Sequence, residues 1–168
     1  ILVQDNMGVC GGAAAGVAGA VETEGETPVS DVEVSLSGQM TDNVTTGNDG
    51  AYSFAGLEPG MDYTVTPQRD GDYLNGVSTF DLVLISKHIL GVQPLNSAYK
   101  MIAADVNNSG NISTLDLIQL RKLILSIDTE FSNNTSWRFV EAEYVFPDPA
   151  NPWLEDFPEV GNYNDLSE

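Results

Sequence analysis

The sequence predicts a mixed α and β fold: a small antiparallel β-sandwich, then a helical unit built on an internal repeat, then a C-terminal aromatic β/extended strap. Three observations predict it. Between Gly19 and Pro67, apolar and polar residues alternate in short runs separated by turn signals. From Asp70, a stretch of 22 residues recurs 35 positions further on, each copy an Asp- and Gly-rich loop running into an apolar helix. From Phe131 the chain becomes aromatic and is punctuated by proline.

Four segments follow: an N-terminal arm at 1–17, a β-sandwich at 18–68, a helical unit at 69–128, and a strap at 129–168 expected to pack on the helices. The 168 residues suffice for one large or two small cores. A net charge of −19, with six basic residues, sets the chain against nucleic acid and anionic membranes and in favour of cations. No stretch is apolar for the length of a membrane span. The start at Ile1 reads as processed or truncated.

The arm opens with the apolar run ILVQ, followed by a glycine and alanine tract. Ile1, Leu2 and Val3 are candidate assembly contacts as an intersubunit strand; an ordinary first strand of the chain's own sheet is the plainer alternative. Cys10, the single cysteine, has no internal partner. It is a small buried apolar residue, a free thiol or half of an intermolecular bond, and so joins the candidate contacts.

In the sandwich, Val32, Val34 and Leu36 share one face, as do Tyr52 and Phe54, then Tyr63 and Val65. Turn signals stand at Glu24-Gly25, Asn48-Asp49-Gly50 and Pro59-Gly60. Strands spaced this closely predict a small antiparallel sandwich.

The loop from Asp105 to Asp116 reads DVNNSGNISTLD. Oxygen-bearing residues fall at its first, third, fifth, seventh and ninth places, glycine at the sixth, and a carboxylate at the twelfth. A hard cation needs several oxygens at short radius, and this is the spacing of a calcium loop. Gly110 turns the chain so that Asp105, Asn107 and Ser109 aim inward. The closing residue is Asp116, where an EF-hand has glutamate. The upstream copy, DGDYLNGVSTFD from Asp70 to Asp81, carries Leu74 at its fifth place and has its glycine one place late at Gly76. A weaker site is expected there.

The helices after the loops are expected from about Ser78 to Leu90 and Ser113 to Leu125, with Ser78 and Asp81 at capping-box spacing. A short helix, AYKMIAA, is expected after a Ser97 cap. Leu82, Val83, Leu84, Ile85, Ile89 and Leu90 in the first long helix cover more than one stripe. So do Leu117, Ile118, Leu120, Leu123, Ile124 and Leu125 in the second. Burial of both helices on more than one side is therefore expected. His88, the only histidine, is expected to pack rather than act as a base. The tail is expected to supply a pair of strands and an extended course.

Two tandem loops, each closed by Asp and feeding a helix that ends near an Ile-Leu pair, resemble a type I dockerin over about 70–126. The stretch TTGNDGAYSFAGLEPGMDYTVTP, within about 18–68, is similar to carboxypeptidase regulatory-like and CnaB-like sandwiches, which serve as spacers or stalks. The dockerin resemblance implies Ca2+, required for folding, and a cohesin partner domain. It implies ligands at Asp105, Asn107, Ser109, the carbonyl of Asn111, Ser113 through a water, and Asp116. In the first loop it implies Asp70, Asp72, the carbonyl of Gly76, Ser78 and Asp81. The hydroxyl pair that cohesin-binding dockerins expose before the closing Asp is replaced here by Thr79-Phe80 and Thr114-Leu115. Some relatives of the sandwich carry a lysine to asparagine crosslink, which a segment without lysine cannot form.

The leading expectation is a non-enzymatic, calcium-stabilised structural module, extracellular or at the cell surface, built into a fibre, filament or stalk by head-to-tail contact between copies. The alternatives are a dockerin anchoring a secreted enzyme to a cohesin scaffold, or a carbohydrate-binding module using Trp137 or Trp153. Glycosylation sequons place candidate glycans at Asn43, Asn133 and Asn134.

Overall fold

The structure, a computed structural model, describes residues 2–5 and 15–166. The chain divides into two compact units, with the boundary at Arg69/Asp70. The tail is shared between them: 139–144 and 158–168 belong to the sheet unit, 145–157 to the helical unit.

The sheet unit contains β1 (Leu2–Asp5), β2 (Ala15–Glu22), β3 (Glu33–Gly38), β4 (Asp42–Thr45), β5 (Ala51–Leu57), β6 (Tyr63–Gln68), β7 (Val140–Glu141) and β8 (Gly161–Tyr163). One sheet runs β5-β2-β1-β7 and the other β4-β3-β6-β8. Every pairing is antiparallel except that of β1 with β7. The alternation read from the sequence aims the core correctly, for Val32, Val34, Leu36, Tyr52, Phe54, Tyr63 and Val65 are all buried. Between the strands, buried Thr46 donates its hydroxyl to the Val29 carbonyl at 2.8 Å and accepts the Val32 N–H at 3.1 Å. Gly50 is required by close approach: its φ is 68°, and a Cβ there would lie 2.5 Å from the Val21 carbonyl oxygen.

Two expectations are corrected here. Leu2 and Val3 pair on both sides within the chain, with Glu22 and Val21 of β2 and with Val140 and Glu141 of β7. With Leu2 and Val3 filled on both edges, the start of β1 is occupied within its own sheet, as in an ordinary first strand. The tail strands do not pair with each other. β7 extends the sheet containing β1 and β8 extends the sheet containing β6, each satisfying backbone groups at an otherwise open edge. Ile1 and Cys10 lie outside the described residues.

The helical unit contains α1 (Thr79–Ile89), α2 (Ala98–Ala104) and α3 (Thr114–Ile124). Ser78, Ser97 and Ser113 are the N-caps, and the long helices carry reciprocal boxes with Asp81 and Asp116. The core gathers Ile85, Ala104, Val106 and Leu120, flanked by Leu82, Ile89, Leu117, Ile124 and Phe131.

The expected burial on several sides is not found. Phe80 and its repeat equivalent Leu115 are 62% and 60% exposed, and Leu90 and Leu125 are 75% and 63% exposed. Val83 and Ile118 are exposed as well. Each helix buries one stripe and presents the opposite one to solvent. Among the tail aromatics, Phe146 meets Tyr99 of α2 edge-on at 5.6 Å and Phe157 at 5.8 Å, leaving those α1 and α3 positions uncovered.

Candidate metal centre

The second loop gathers its oxygens because Asp105 ends α2 and Asp116 sits in the first turn of α3, so two helix termini fix the first and last carboxylates. Asp105 is 2% exposed and Asp116 fully buried. Asp105 Oδ1 accepts the Ser109 N–H at 2.9 Å, and Oδ2 accepts the Gly110 N–H at 2.7 Å. Asp116 Oδ1 accepts the Asn107 N–H at 3.2 Å, and Oδ2 accepts the Ser113 N–H at 2.8 Å. The Ser109 hydroxyl lies within 3.3 Å of both Asp105 Oδ1 and the Asn111 carbonyl oxygen. Left-handed backbone at Asn108 (φ 54°) and Gly110 (φ 77°) produces the turn.

A cation fits this arrangement. Among the described residues, neither buried carboxylate has an ion-pair partner, and Asn107 Oδ1 is buried with no hydrogen-bond donor. Buried charges and an orphaned carbonyl oxygen are each costly unless something positive satisfies them. Asp105, Asn107, Ser109, the Asn111 carbonyl and Asp116 supply the all-oxygen donor set that a hard cation prefers, with Ser113 beside Asp116 at 3.1 Å. Among the described residues no group of three or more His, Cys, Asp and Glu gathers anywhere, this loop included, so a cation here would draw on Asn, Ser and main-chain oxygens beside its two carboxylates. Calcium, when bound, would neutralise the two carboxylates and lock the start of α3 to the end of α2.

The first loop has a different shape despite its ungapped alignment. Its left-handed residues are Gly71, Asp72 and Gly76, at the second, third and seventh places, whereas the second loop has them at the fourth and sixth. Asp70, Asp72, Gly76 and Ser78 are exposed, and Leu74 points a 48% exposed apolar side chain where an oxygen would be needed. Asp81 Oδ2 is held in the helix cap by the Ser78 N–H at 2.7 Å and its hydroxyl at 2.9 Å. Asp70 Oδ1 accepts N–H groups from Ser136 at 3.0 Å and Gly71 at 2.9 Å. The Ser136 N–H, with smaller help from Tyr73, holds the Asp70 carboxyl below the ordinary aspartate value. Desolvation first, then its bond to Asp70, pushes the Tyr73 hydroxyl up to about 12.

Other candidate residues find plainer roles. His88 Nδ1 accepts the Leu95 N–H at 3.1 Å and ties α1 to the following loop. Trp137 and Trp153 are half-buried, so neither offers the exposed flat face a sugar platform requires. Asn43 and Asn133 are exposed, but Asn134 Nδ2, the atom a glycan would occupy, donates to the Asp105 carbonyl at 3.1 Å. Asn134 is thus tied to the end of α2.

The fold and the loop define a class: a β-sandwich module joined to a duplicated loop-and-helix unit, with buried carboxylates at both ends of its second loop. Residues 17–80 match the SdrD B-like domain and residues 74–125 match the type I dockerin domain. The chain carries a CnaB-like sandwich followed by a type I dockerin domain. No curated protein and no solved structure matches it. Both domain types are non-catalytic modules typical of secreted or cell-surface proteins; type I dockerins bind calcium, and their partners are cohesin domains. Among the described residues, no helix is long and apolar enough to cross a membrane.

Proposed function

We propose that this chain is a secreted, calcium-dependent assembly module whose α1 and α3 faces dock on a cohesin-type domain while the sandwich acts as a spacer. One observation carries the reading: Phe80 and Val83 on α1 and its C-cap Leu90 are exposed at the same repeat positions as Leu115 and Ile118 on α3 and its C-cap Leu125. Large apolar side chains on regular, capped helices left open to water mark an interaction surface. Their duplication 35 residues apart gives one domain two equivalent edges. Calcium at Asp105 to Asp116 would order the second of these helices for docking, and the first loop, lacking an oxygen at Leu74, takes none.

A fibre built by strand exchange through the N-terminal arm has less to support it, since Leu2 and Val3 are paired on both sides. Catalysis is not part of the reading.

The test is surface plasmon resonance of the full chain against a panel of type I cohesin domains. Binding with Kd on the order of nanomolar is expected in calcium, lost in chelator and lost in the double variant Phe80→Asp, Leu115→Asp. Failure to bind any member, or binding indifferent to chelator and to the double variant, refutes the docking reading.

A further inference from the structure

The segment Phe131–Arg138 lies beyond the residues that match the dockerin domain, yet four of its groups reach the two loops. Phe131 meets the Tyr73 ring edge-on at 5.3 Å. Asn134 Nδ2 donates to the carbonyls of Asp105 at 3.1 Å and Val106 at 3.4 Å. The Ser136 N–H donates to Asp70 Oδ1 at 3.0 Å. Arg138 Nη1 donates to Asn108 Oδ1 at 2.6 Å, while its guanidinium lies 5.6 Å from the centroid of the Phe157 ring. Further along, the Trp153 ring stands over Gly110, where an added Cβ would come 3.9 Å from its Cγ.

We propose that residues Asn134, Ser136 and Arg138 form a tie across the two loops, which replaces a cation in the first loop and shapes the second loop to receive one. This rests on the calcium reading of Asp105 to Asp116.

In the first loop, the Asp70 carboxylate, which begins the loop as Asp105 begins the other, has its Oδ1 satisfied by a main-chain N–H from Ser136 and another from Gly71. A peptide N–H supplies the partial positive charge that a metal would otherwise supply, and it does so from outside the repeat. The fifth-place Leu74 then carries no penalty, because nothing at the centre of that loop needs an oxygen. The Asp70 carboxyl is held below its usual range chiefly by that Ser136 N–H.

In the second loop the tie acts on groups that are not themselves ligands. Asn134 fixes the carbonyls of Asp105 and Val106 at the loop entrance, and Arg138 holds the side chain of left-handed Asn108. Holding these in the metal-free chain lowers the ordering that the cation must impose. Groups that orient ligands without touching the metal change affinity by about ten-fold or more when removed. Asn134, Ser136 and Arg138 are thus positioning residues.

The experiment is calorimetric calcium titration of the full chain together with melting in chelator and in calcium. Wild type is expected to bind one calcium. Asn134→Ala should weaken that binding about ten-fold while shifting the chelated melting temperature much less than the calcium-loaded one. Asp70→Asn keeps the Oδ1 acceptor for Ser136 but removes the charge, so it should still bind one calcium and melt within about 2 °C of wild type.

Two calcium ions in wild type falling to one in Asp70→Asn would overturn the tie and leave the second site standing. Unchanged affinity in Asn134→Ala, or equal destabilisation of chelated and loaded forms, would also overturn it. A wild type that binds no calcium would remove the metal reading and this inference together.

Discussion

The main-chain N–H of Asn107 donates to Asp116 Oδ1 at 3.2 Å, joining the third place of the loop to the carboxylate that closes it. The same residue leaves its side-chain oxygen buried and unsatisfied. A loop held shut by its closing carboxylate, with one oxygen turned inward and unused, is poised for a cation.

Asp116 uses both oxygens, one for Asn107 and one for Ser113. An amide has a single acceptor, so Asp116→Asn loses a metal ligand and sets an NH2 against a main-chain N–H. Calcium affinity should fall on the order of a hundredfold, and the chelated form should lose about 1–3 kcal/mol. In the first loop, the Ser78 N–H and hydroxyl both meet Asp81 Oδ2, so Asp81→Asn can keep the cap with its one oxygen. That variant should leave calcium binding unchanged, which calorimetry of the pair will show.

Metal removal should lower stability through linkage alone. At a free calcium concentration of 100 times Kd the loaded helical unit gains about 2.7 kcal/mol, and chelator removes it. The gain should grow with the logarithm of calcium in melts followed by circular dichroism. Because α3 begins at the closing ligand, amide exchange in α3 should slow more than in β3 or β6.

Two groups near the first loop give the helical unit opposite pH dependences. Asp70 is depressed in the folded chain, so its stabilising contribution is present above its unfolded value of 3.8 and is lost as pH falls below that. Tyr73 is raised from 10.0 to about 12, so folding is favoured below its unfolded value and the contribution is lost as pH rises through that window. Tyr73→Phe should remove the alkaline loss and let the Asp70 carboxyl rise towards its ordinary value, read by NMR titration.

In the sheet unit, Thr46→Val keeps the volume of a buried side chain but strands the Val29 carbonyl and the Val32 N–H. It should cost about 1–3 kcal/mol in denaturant melts. Calcium affinity should stay the same, because no ligand lies in that unit.

The alternation of Val32, Val34 and Leu36 was enough to orient a strand, since a pleated chain puts every second residue on one side. The caps at Ser78, Ser97 and Ser113 were equally legible, because a hydroxyl before an apolar run serves the free N–H groups of the first turn. Two strands were expected in the tail, but their places at Val140–Glu141 and Gly161–Tyr163 were not legible, for two or three residues carry no period. Nor was Asn134 read as a bond to the loop. Its sequon is a local pattern, while its partner Asp105 lies 29 residues away.

The sequence by itself determined local conformation, the repeat and the donor set of the second loop, since all of these depend on spacings within a dozen residues. Only the tertiary structure decided which apolar helix positions stay open, which N–H groups meet Asp70 in the first loop, and which strands the tail pairs with. Those outcomes depend on groups far apart in the chain meeting in space, and hydrophobic count alone does not say which side of a helix will be covered.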